Sequence, residues 1–483
     1  MFATSTSGLI RRQANTNPSV RPREDPMVED AAQAAPAVAG RPPRGGVEHK
    51  GIEAVRDDER HGSPLSAFTL WFAGNLQYSA LVVGAIPTAF LGLSFAQAAL
   101  ALVVGTLIGS LLLGVAATMG PQAGAPQMVQ SRGPFGYFGN FVPVFLLFLT
   151  GFGYFAVNTV LGAYIVRQLF GIPFLWALIA VAVVEIVIAI IGHDFVHRIE
   201  RMLLGVMAVL FVLITWYGIA RGDVGAVGDP GEKTLTGALL MTVAVSSSRT
   251  FGWAIGASDY TRYLPRDTSR ARLGWSAFLG AAIAGLWMHL LGAAIGTVIF
   301  PNSPTDLVTQ LIPSGLAIIA LIALLASTIA GSVLDIYSGS LALLMADIPL
   351  RRWVSALLTG VLGTALGWWA GHVEGEAFGN FQNFLFVVGY WIGPWLGVTL
   401  VDFLVHRRDG VEVGTFYDRS RRLGPGLAAF AIGVVASVPF MSQSLYTGPL
   451  AAAFPQLGDI TYWVGGVVAA VAYYLIKRVR ESK

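Results

Sequence analysis

Three charged residues sit inside long apolar runs of this sequence. They are Glu185 in Val183-Val184-Glu185-Ile186-Val187, Arg249 in Ser246-Ser247-Ser248-Arg249-Thr250, and Asp335 in Gly331-Ser332-Val333-Leu334-Asp335-Ile336. A charge at bilayer depth costs about 2.5–3.5 kcal/mol on insertion scales, so such residues tend to face cavities or one another. Asp335 therefore reads as a functional acid, with a structural ion pair or helix cap as the competing reading. Arg249 reads as a partner for Asp335, as a ligand for an electronegative solute edge, or as a side chain that snorkels outward. Glu185 reads first as a packing hydrogen-bond partner on a peripheral helix. Tyr154 and Asn158 lie four apart and so share one helical face. A ring and an amide on one face suit a planar solute with polar edges: the ring stacks, worth roughly 0.5–1.5 kcal/mol beyond area burial. The amide offers one donor and one acceptor side. Helix-to-helix packing explains the same pair without any ligand.

Other chemistries are poorly supplied. There are no cysteines, which removes disulfides, thiolate catalysis and cysteine-held metals. His193-Asp194-Phe195-Val196-His197 spaces two histidines as in a zinc protease but has Asp where that motif needs Glu, so no metal site is expected. No nucleophile–base constellation and no Gly-rich phosphate loop with Lys is present. The chain reads as neither an enzyme nor an ATP-driven pump, and no cofactor is expected.

The elements that carry these residues follow from composition. Of 483 residues, 54% are apolar and only 12% charged, against about 25% charged in soluble domains. Mean hydropathy is +0.64. The apolar runs are about 20 residues long, the length needed to cross a hydrocarbon core of roughly 30 Å. Helices are the expected spanning element because lipid cannot satisfy exposed backbone groups. The runs are predicted at 66–90, 96–118, 139–168, 173–192, 202–220, 235–261, 273–300, 314–346, 353–371, 378–405, 424–442 and 459–477, giving an all-α integral membrane protein of about twelve spans. The third, sixth, eighth and tenth are long enough to tilt or break. Residues 1–62 form a Pro-, Ala- and charge-rich tail with nine basic and nine acidic residues, expected to be disordered. The transporter domain then covers 63–480.

With a cytoplasmic N-terminus, the inner loops and C-tail carry 18 basic residues and the outer loops three: Arg167, Arg221 and Lys233. Positive charge marks the cytoplasmic side, so a multi-pass cell-membrane protein with both termini inside is expected. The basic pI of about 9.1 reports this orientation, and nucleic acid is not an expected partner. The sequence does not fix an oligomeric state, and a monomer suffices.

Transporters bind solute near the midplane, where helices unwind. Two apolar runs are interrupted in a related way. Span one holds Trp71-Phe72-Ala73-Gly74-Asn75-Leu76-Gln77 and span six holds Phe251-Gly252-Trp253-Ala254-Ile255-Gly256, each with Trp-x-x-Gly. Spans one and six would be partners in a five-plus-five inverted repeat. Two unrelated packing glycines would give the same match.

Three further motifs resemble the nucleobase–cation symporter family that contains the purine-cytosine permeases. They are Pro126-Gln127-Met128-Val129-Gln130-Ser131-Arg132-Gly133-Pro134-Phe135-Gly136 before span three, Ser258-Asp259-Tyr260-Thr261-Arg262-Tyr263-Leu264-Pro265 at the end of span six, and Gly389-Tyr390-Trp391-Ile392-Gly393-Pro394-Trp395-Leu396-Gly397-Val398 with Asp402 in span ten. The resemblance covers about Ser66 to Arg408 and more loosely the last two helices. It implies a LeuT-type fold, with ten core helices in two inverted repeats plus two C-terminal helices. It also implies a secondary transporter importing a nucleobase-like solute by symport with protons or sodium. The related alternatives are nucleosides, allantoin, hydantoins and vitamins.

By this resemblance Tyr154 and Asn158 contact the solute, and Trp253, or Phe251, stacks on its other face. Gly74 and Asn75 lie in the helix-one break that contributes contacts, and Asp335 reads the solute edge. Asp335 and Arg249 are the candidates for coupling. The family often has Trp where Tyr154 stands, so pocket shape is expected to differ. Sodium-coupled members place hydroxyls one turn before the solute position on helix eight. Here those positions fall on Ile329, Ala330 and Gly331, with Ser327 and Thr328 usable only by a shift. This favours proton coupling. The implied mechanism is alternating access, with helices one, two, six and seven rocking against three, four, eight and nine, and span ten as a thin gate.

Overall fold

A computed structural model describes residues 52–482 apart from 192, 232, 233, 374, 409 and 411; side chains of 193–204, 206 and 352 are also outside the description. The tail up to residue 51, the side chains of His193 and His197, and Arg198, Arg201, Lys233, Arg352 and Lys483 of the orientation count thus lie outside the described residues.

The apolar runs form helices because each backbone N–H and C=O in them must find a partner within its own segment. Span one becomes two helices, α1 (Pro64–Asn75) and α2 (Tyr78–Ala89). Next come α3 (Phe95–Ala117), α4 (Phe141–Phe170), α5 (Phe174–Ile191) and α6 (His193–Arg221). Span six is α7 (Leu235–Phe251), a 3-10 turn over Gly252–Gly256, and α8 (Ala257–Thr261). The remainder are α9 (Arg270–Ile295), α10 (Ser314–Met345), α11 (Arg352–Gly371), α12 (Ala377–Val401), α13 (Pro425–Ser437) and α14 (Thr461–Glu481). Seven helices among the described residues are long and apolar enough to cross a membrane, with three shorter apolar ones beside them. The whole set is consistent with twelve spans. Leu100, Leu111, Phe145, Val209, Trp216 and Val435 are exposed on its outer surface, as a lipid-facing wall requires.

Local chemistry sets several ends. Ser94 and Gln97 form a capping box at the start of α3: Ser94 Oγ accepts from Gln97 N at 3.3 Å and Gln97 Oε1 from Ser94 N at 2.9 Å. Thr234 Oγ1 accepts from Gly237 N and caps α7. Gly171, at φ 68°, ends α4 with a left-handed residue that glycine adopts without strain. A small antiparallel ribbon, Ser442–Gln443 with Tyr446–Thr447, lies between α13 and α14.

Small residues let backbones touch, as in other membrane bundles. A Cβ on Gly84 of α2 would lie 2.1 Å from His289 O of α9, and one on Gly292 would lie 2.1 Å from Leu81 O. Gly151 of α4 meets Gly339 of α10 in the same way. These contacts fix α2, the second half of broken span one, on α9, and α4 on α10.

The expected interruption of span one falls at Leu76–Gln77. Two expectations change. Residues 193–201, read as a loop, begin α6, which starts two residues after α5 ends. Residues 52–62 of the tail are docked: Val55 N donates to Gly124 O (2.8 Å), His61 N to Tyr263 O (2.6 Å) and Tyr417 Oη to Ile52 O (2.8 Å). Backbone groups in such pairs are no longer available to solvent, which is what orders this stretch.

Candidate substrate site

The two breaks face each other. In the first, Leu76 and Gln77 leave helical geometry, Gln77 with φ −128° and ψ 152°. The orphan N–H of Tyr78 donates to Ser327 Oγ of α10 at 3.3 Å. In the second, Gly252–Gly256 tightens to a 3-10 turn. Trp71 and Trp253 meet across them, ring centroids 5.7 Å apart and tilted by 56°.

Between the breaks, α4 and α10 lies a cavity lined by Gln77, Leu147, Thr150, Gly151, Tyr154, Asn158, Arg249, Gly252, Trp253, Ile255, Gly256, Tyr260, Asp335 and Ser338.

Its polar groups are few and unevenly satisfied. Asn158 Nδ2 donates to Asp335 Oδ2 at 2.9 Å, and Asp335 is only 8% exposed. Arg249 is 3% exposed; its Nη2 donates to Gln77 Oε1 (2.8 Å) and Ser79 Oγ (3.1 Å), and its guanidinium carbon lies 5.8 Å from the Trp253 ring centroid. Arg249 thus turns inward, and no ion pair among the described residues joins it to Asp335. The guanidinium instead ties α7 to the break in span one. Tyr154 Oη, Asn158 Oδ1, Trp253 Nε1 and Arg249 Nε are buried without a hydrogen-bond partner. Buried polar atoms are seldom left unpaired, and each such exception calls for an explanation. Two donors, one acceptor and one hydroxyl on side chains that line the cavity suit a planar solute with both kinds of edge.

The structure brings Tyr154, Asn158, Trp253, Asp335 and Arg249 together and leaves the other nominated residues outside. Phe251 is fully buried and meets Tyr462 of α14 edge-on at 5.2 Å. Two residues from Trp253, it points to the opposite side of a helical turn. Asn75 Nδ2 donates back to Trp71 O at 2.8 Å, closing the end of α1. Gly74 packs under Trp253, where a Cβ would come within 3.8 Å of Cζ2. Neither Gly74 nor Asn75 lines the cavity, because the chain turns into it only at Gln77. The serines beside Arg249 are spent on packing: Ser248 Oγ donates to Leu385 O at 2.7 Å and Ser247 Oγ bonds Tyr462 Oη at 2.5 Å.

Several lining residues escaped the sequence reading. Gln77 sits in the interruption itself, and Tyr260 within the motif that ends span six. Tyr260 Oη stands 3.5 Å from Ser338 Oγ and its ring meets Trp71 edge-on. Thr150 accepts from Trp391 Nε1 at 3.1 Å, which lays α12 across α4 one turn from Tyr154. Phe384 of α12 meets the Tyr154 ring edge-on at 4.9 Å.

Residues 54–465 match the family described as permeases for cytosine/purines, uracil, thiamine and allantoin. The chain belongs to that family. It is a multi-pass membrane transporter and not an enzyme. Across 458 residues it is 31% identical to YxlA of Bacillus subtilis (strain 168), whose name assigns it provisionally to the purine-cytosine permeases; the match covers 90% of this chain and 97% of YxlA. It is 26% identical to the purine-cytosine permease fcyB of Emericella nidulans, over 89% of this chain and 88% of fcyB. Its fold is similar to that of Mhp1, a nucleobase-cation-symport-1 family transporter solved in a closed conformation with bromovinylhydantoin bound. The TM-score is 0.71 at 19% identity, covering 90% of this chain and 95% of Mhp1. A Na+-coupled sialic acid symporter shares the fold at a TM-score of 0.59 and 12% identity, over 88% and 91% of the two chains. The architecture is therefore the LeuT-type one, with α1–α2 and α7–α8 as its two broken helices.

Proposed function

We propose that this permease imports a nucleobase-like solute, a cytosine, purine or close relative, by symport with protons. The observation that carries the reading is one cavity holding an acid, an arginine, an amide and two aromatic side chains with unpaired polar atoms. The solute lies between Tyr154 and Trp253. Asn158 Oδ1 accepts from one of its N–H groups, and Arg249 Nε faces a carbonyl oxygen. Asp335 pairs with the remaining edge: protonated, it donates to a ring nitrogen while accepting from an adjacent N–H, and ionised it only accepts. Proton occupancy and solute affinity are then linked at one carboxyl.

Coupling by protons is supported by the hydroxyl-free run Ile329-Ala330-Gly331 of α10. Gly331 there lies against Gln77, and Ser327 already accepts from Tyr78 N. Alternating access follows from the two broken helices moving with α3 and α9 against the frame of α4, α5, α10 and α11. Phe384 and Trp391 of α12 then act as a thin gate over the cavity. The basic loops support an orientation with both termini in the cytoplasm.

Uptake of radiolabelled cytosine, adenine, hypoxanthine, uracil and allantoin into proteoliposomes tests this. Accumulation of at least one base driven by an inward pH gradient is expected, with allantoin the weaker competitor. Accumulation that follows a sodium gradient and ignores pH would overturn the coupling.

A further inference from the structure

Glu185 stands behind the cavity wall and takes no part in the site. It lies past the middle of α5, fully buried, facing α4 and α10. Its Oε2 is 2.6 Å from Thr159 Oγ1, and Thr159 Oγ1 is also 2.7 Å from Phe155 O. A threonine hydroxyl has one hydrogen, a backbone carbonyl has none, and an ionised carboxylate has none. Both short contacts are hydrogen bonds only if Glu185 itself brings a proton: Oε2–H donates to Thr159, which donates to Phe155 O. Glu185 Oε1 and the neighbouring Ser332 Oγ are both buried without a hydrogen-bond partner, so the acid has a second polar atom at its free side.

Among the described residues, the surroundings hold no cation to balance a charge. α4 presents Thr159, and α10 presents Ser332 with Asp335 as the nearest other acid. α11 has no titratable side chain between Trp353 and Gly371, and the described part of α6 between Met207 and Ala220 has only Tyr217. An unpaired buried charge is too costly to persist in such a place, and the group carries a proton instead.

The placement relative to the cavity is specific. Asn158, which holds Asp335, and Thr159, which holds Glu185, are consecutive on α4. Ser332 and Asp335 are three apart on α10 and so share a face. The two acids are joined through one residue step on α4 and one helical turn on α10.

We infer that Glu185 is a proton-binding site of the transport cycle, exchanging its proton with Asp335 by way of Ser332. The exchange is balanced: the Glu185 carboxyl turns its O–H from Thr159 to Ser332, that O–H bond breaks as the Ser332 hydroxyl passes its own hydrogen to the Asp335 carboxylate, and Ser332 takes up the one released. The inference rests on the proton-coupled reading, and it assigns the store of the proton to a residue outside the solute contacts.

The test is Glu185→Gln in proteoliposomes, with wild type in parallel. At one proton per solute, each unit of pH gradient supports about tenfold accumulation. Wild type is expected to reach that level. E185Q should exchange labelled base across the membrane at the wild-type rate yet accumulate about onefold, and Glu185→Asp should restore the gradient response. Tenfold accumulation by E185Q overturns the inference and leaves the proton-coupled reading standing. Wild type that ignores the pH gradient overturns both. Should E185Q fail to insert, Thr159→Ala decides: half-maximal uptake displaced to more acidic pH supports the site, and an unchanged pH profile overturns it.

Discussion

Two buried acids, one just past the end of α12 and one in the cavity, are held in opposite ways. Asp402, at the end of α12, accepts from Tyr473 Oη at 2.6 Å and pairs with Arg407 at 2.7 Å and Lys477 at 3.3 Å. Both carboxylate oxygens there have a donor, and two cations stand against one negative charge. Among the described residues, Asp335 has a single amide donor at 2.9 Å and no cation within ion-pair reach. Asp402 has the surroundings of a clamp, closing α12 onto α14 and the loop that follows. Asp335 has the surroundings of a group that must change partners. Burial alone would class them together, since both are largely shielded; the number and charge of their donors separates them.

That contrast can be broken by substitution. Asp402→Ala leaves Arg407 and Lys477 unpaired, and breaking a buried ion pair costs about 3–5 kcal/mol. A large drop in melting temperature in detergent is expected, with solute affinity in the surviving fraction unchanged. Asp335→Ala should do the reverse. Losing a hydrogen bond to a charged group costs about 1.5–3 kcal/mol, so solute affinity by titration calorimetry should fall roughly 10–100-fold with melting temperature held or raised. A D335A chain that melts early while binding normally would erase the distinction.

Smaller effects sharpen the site. Tyr154→Phe keeps the ring against Phe384 and removes the unpaired hydroxyl; a neutral hydrogen bond is worth about 0.5–1.5 kcal/mol, so KM for uptake should rise by up to about tenfold with little change in maximal rate. Phe251→Leu should be nearly silent in transport. Its ring packs on Tyr462, away from the cavity, and a swap of similar apolar volume costs less than about 1.5 kcal/mol. A strong KM effect at Phe251 with none at Trp253 would mean that the aromatic wall is misassigned.

Most of the scaffold was legible because apolar length is a direct consequence of bilayer thickness. The twelve predicted runs fall on the observed helices within a few residues, apart from the start of α6. Charges and amides inside those runs, Asn158, Arg249 and Asp335, were legible for the same reason: their cost demands a polar destination. What the sequence could not supply was rotation. A helix turns about 100° per residue, so Phe251 and Trp253 exchange sides over two positions, and the cavity is reached at Gln77 and not at Gly74 or Asn75. Gln77 became visible only once two residues were seen to leave helical geometry. Arg249 was open between pairing with Asp335, facing a solute edge and snorkelling outward, because that choice depends on side-chain reach; the structure gives it Gln77 and Ser79. Thr159 and Ser332 carried no signal, since hydroxyls within apolar helices usually bond their own preceding turn.

The most direct test is a structure of the permease with the base that the uptake panel selects. The account predicts the base between Tyr154 and Trp253, within hydrogen-bond distance of Asn158 and Asp335, with Arg249 still bonded to Gln77. A base bound elsewhere, or one lying in the cavity without touching Asp335, would contradict it.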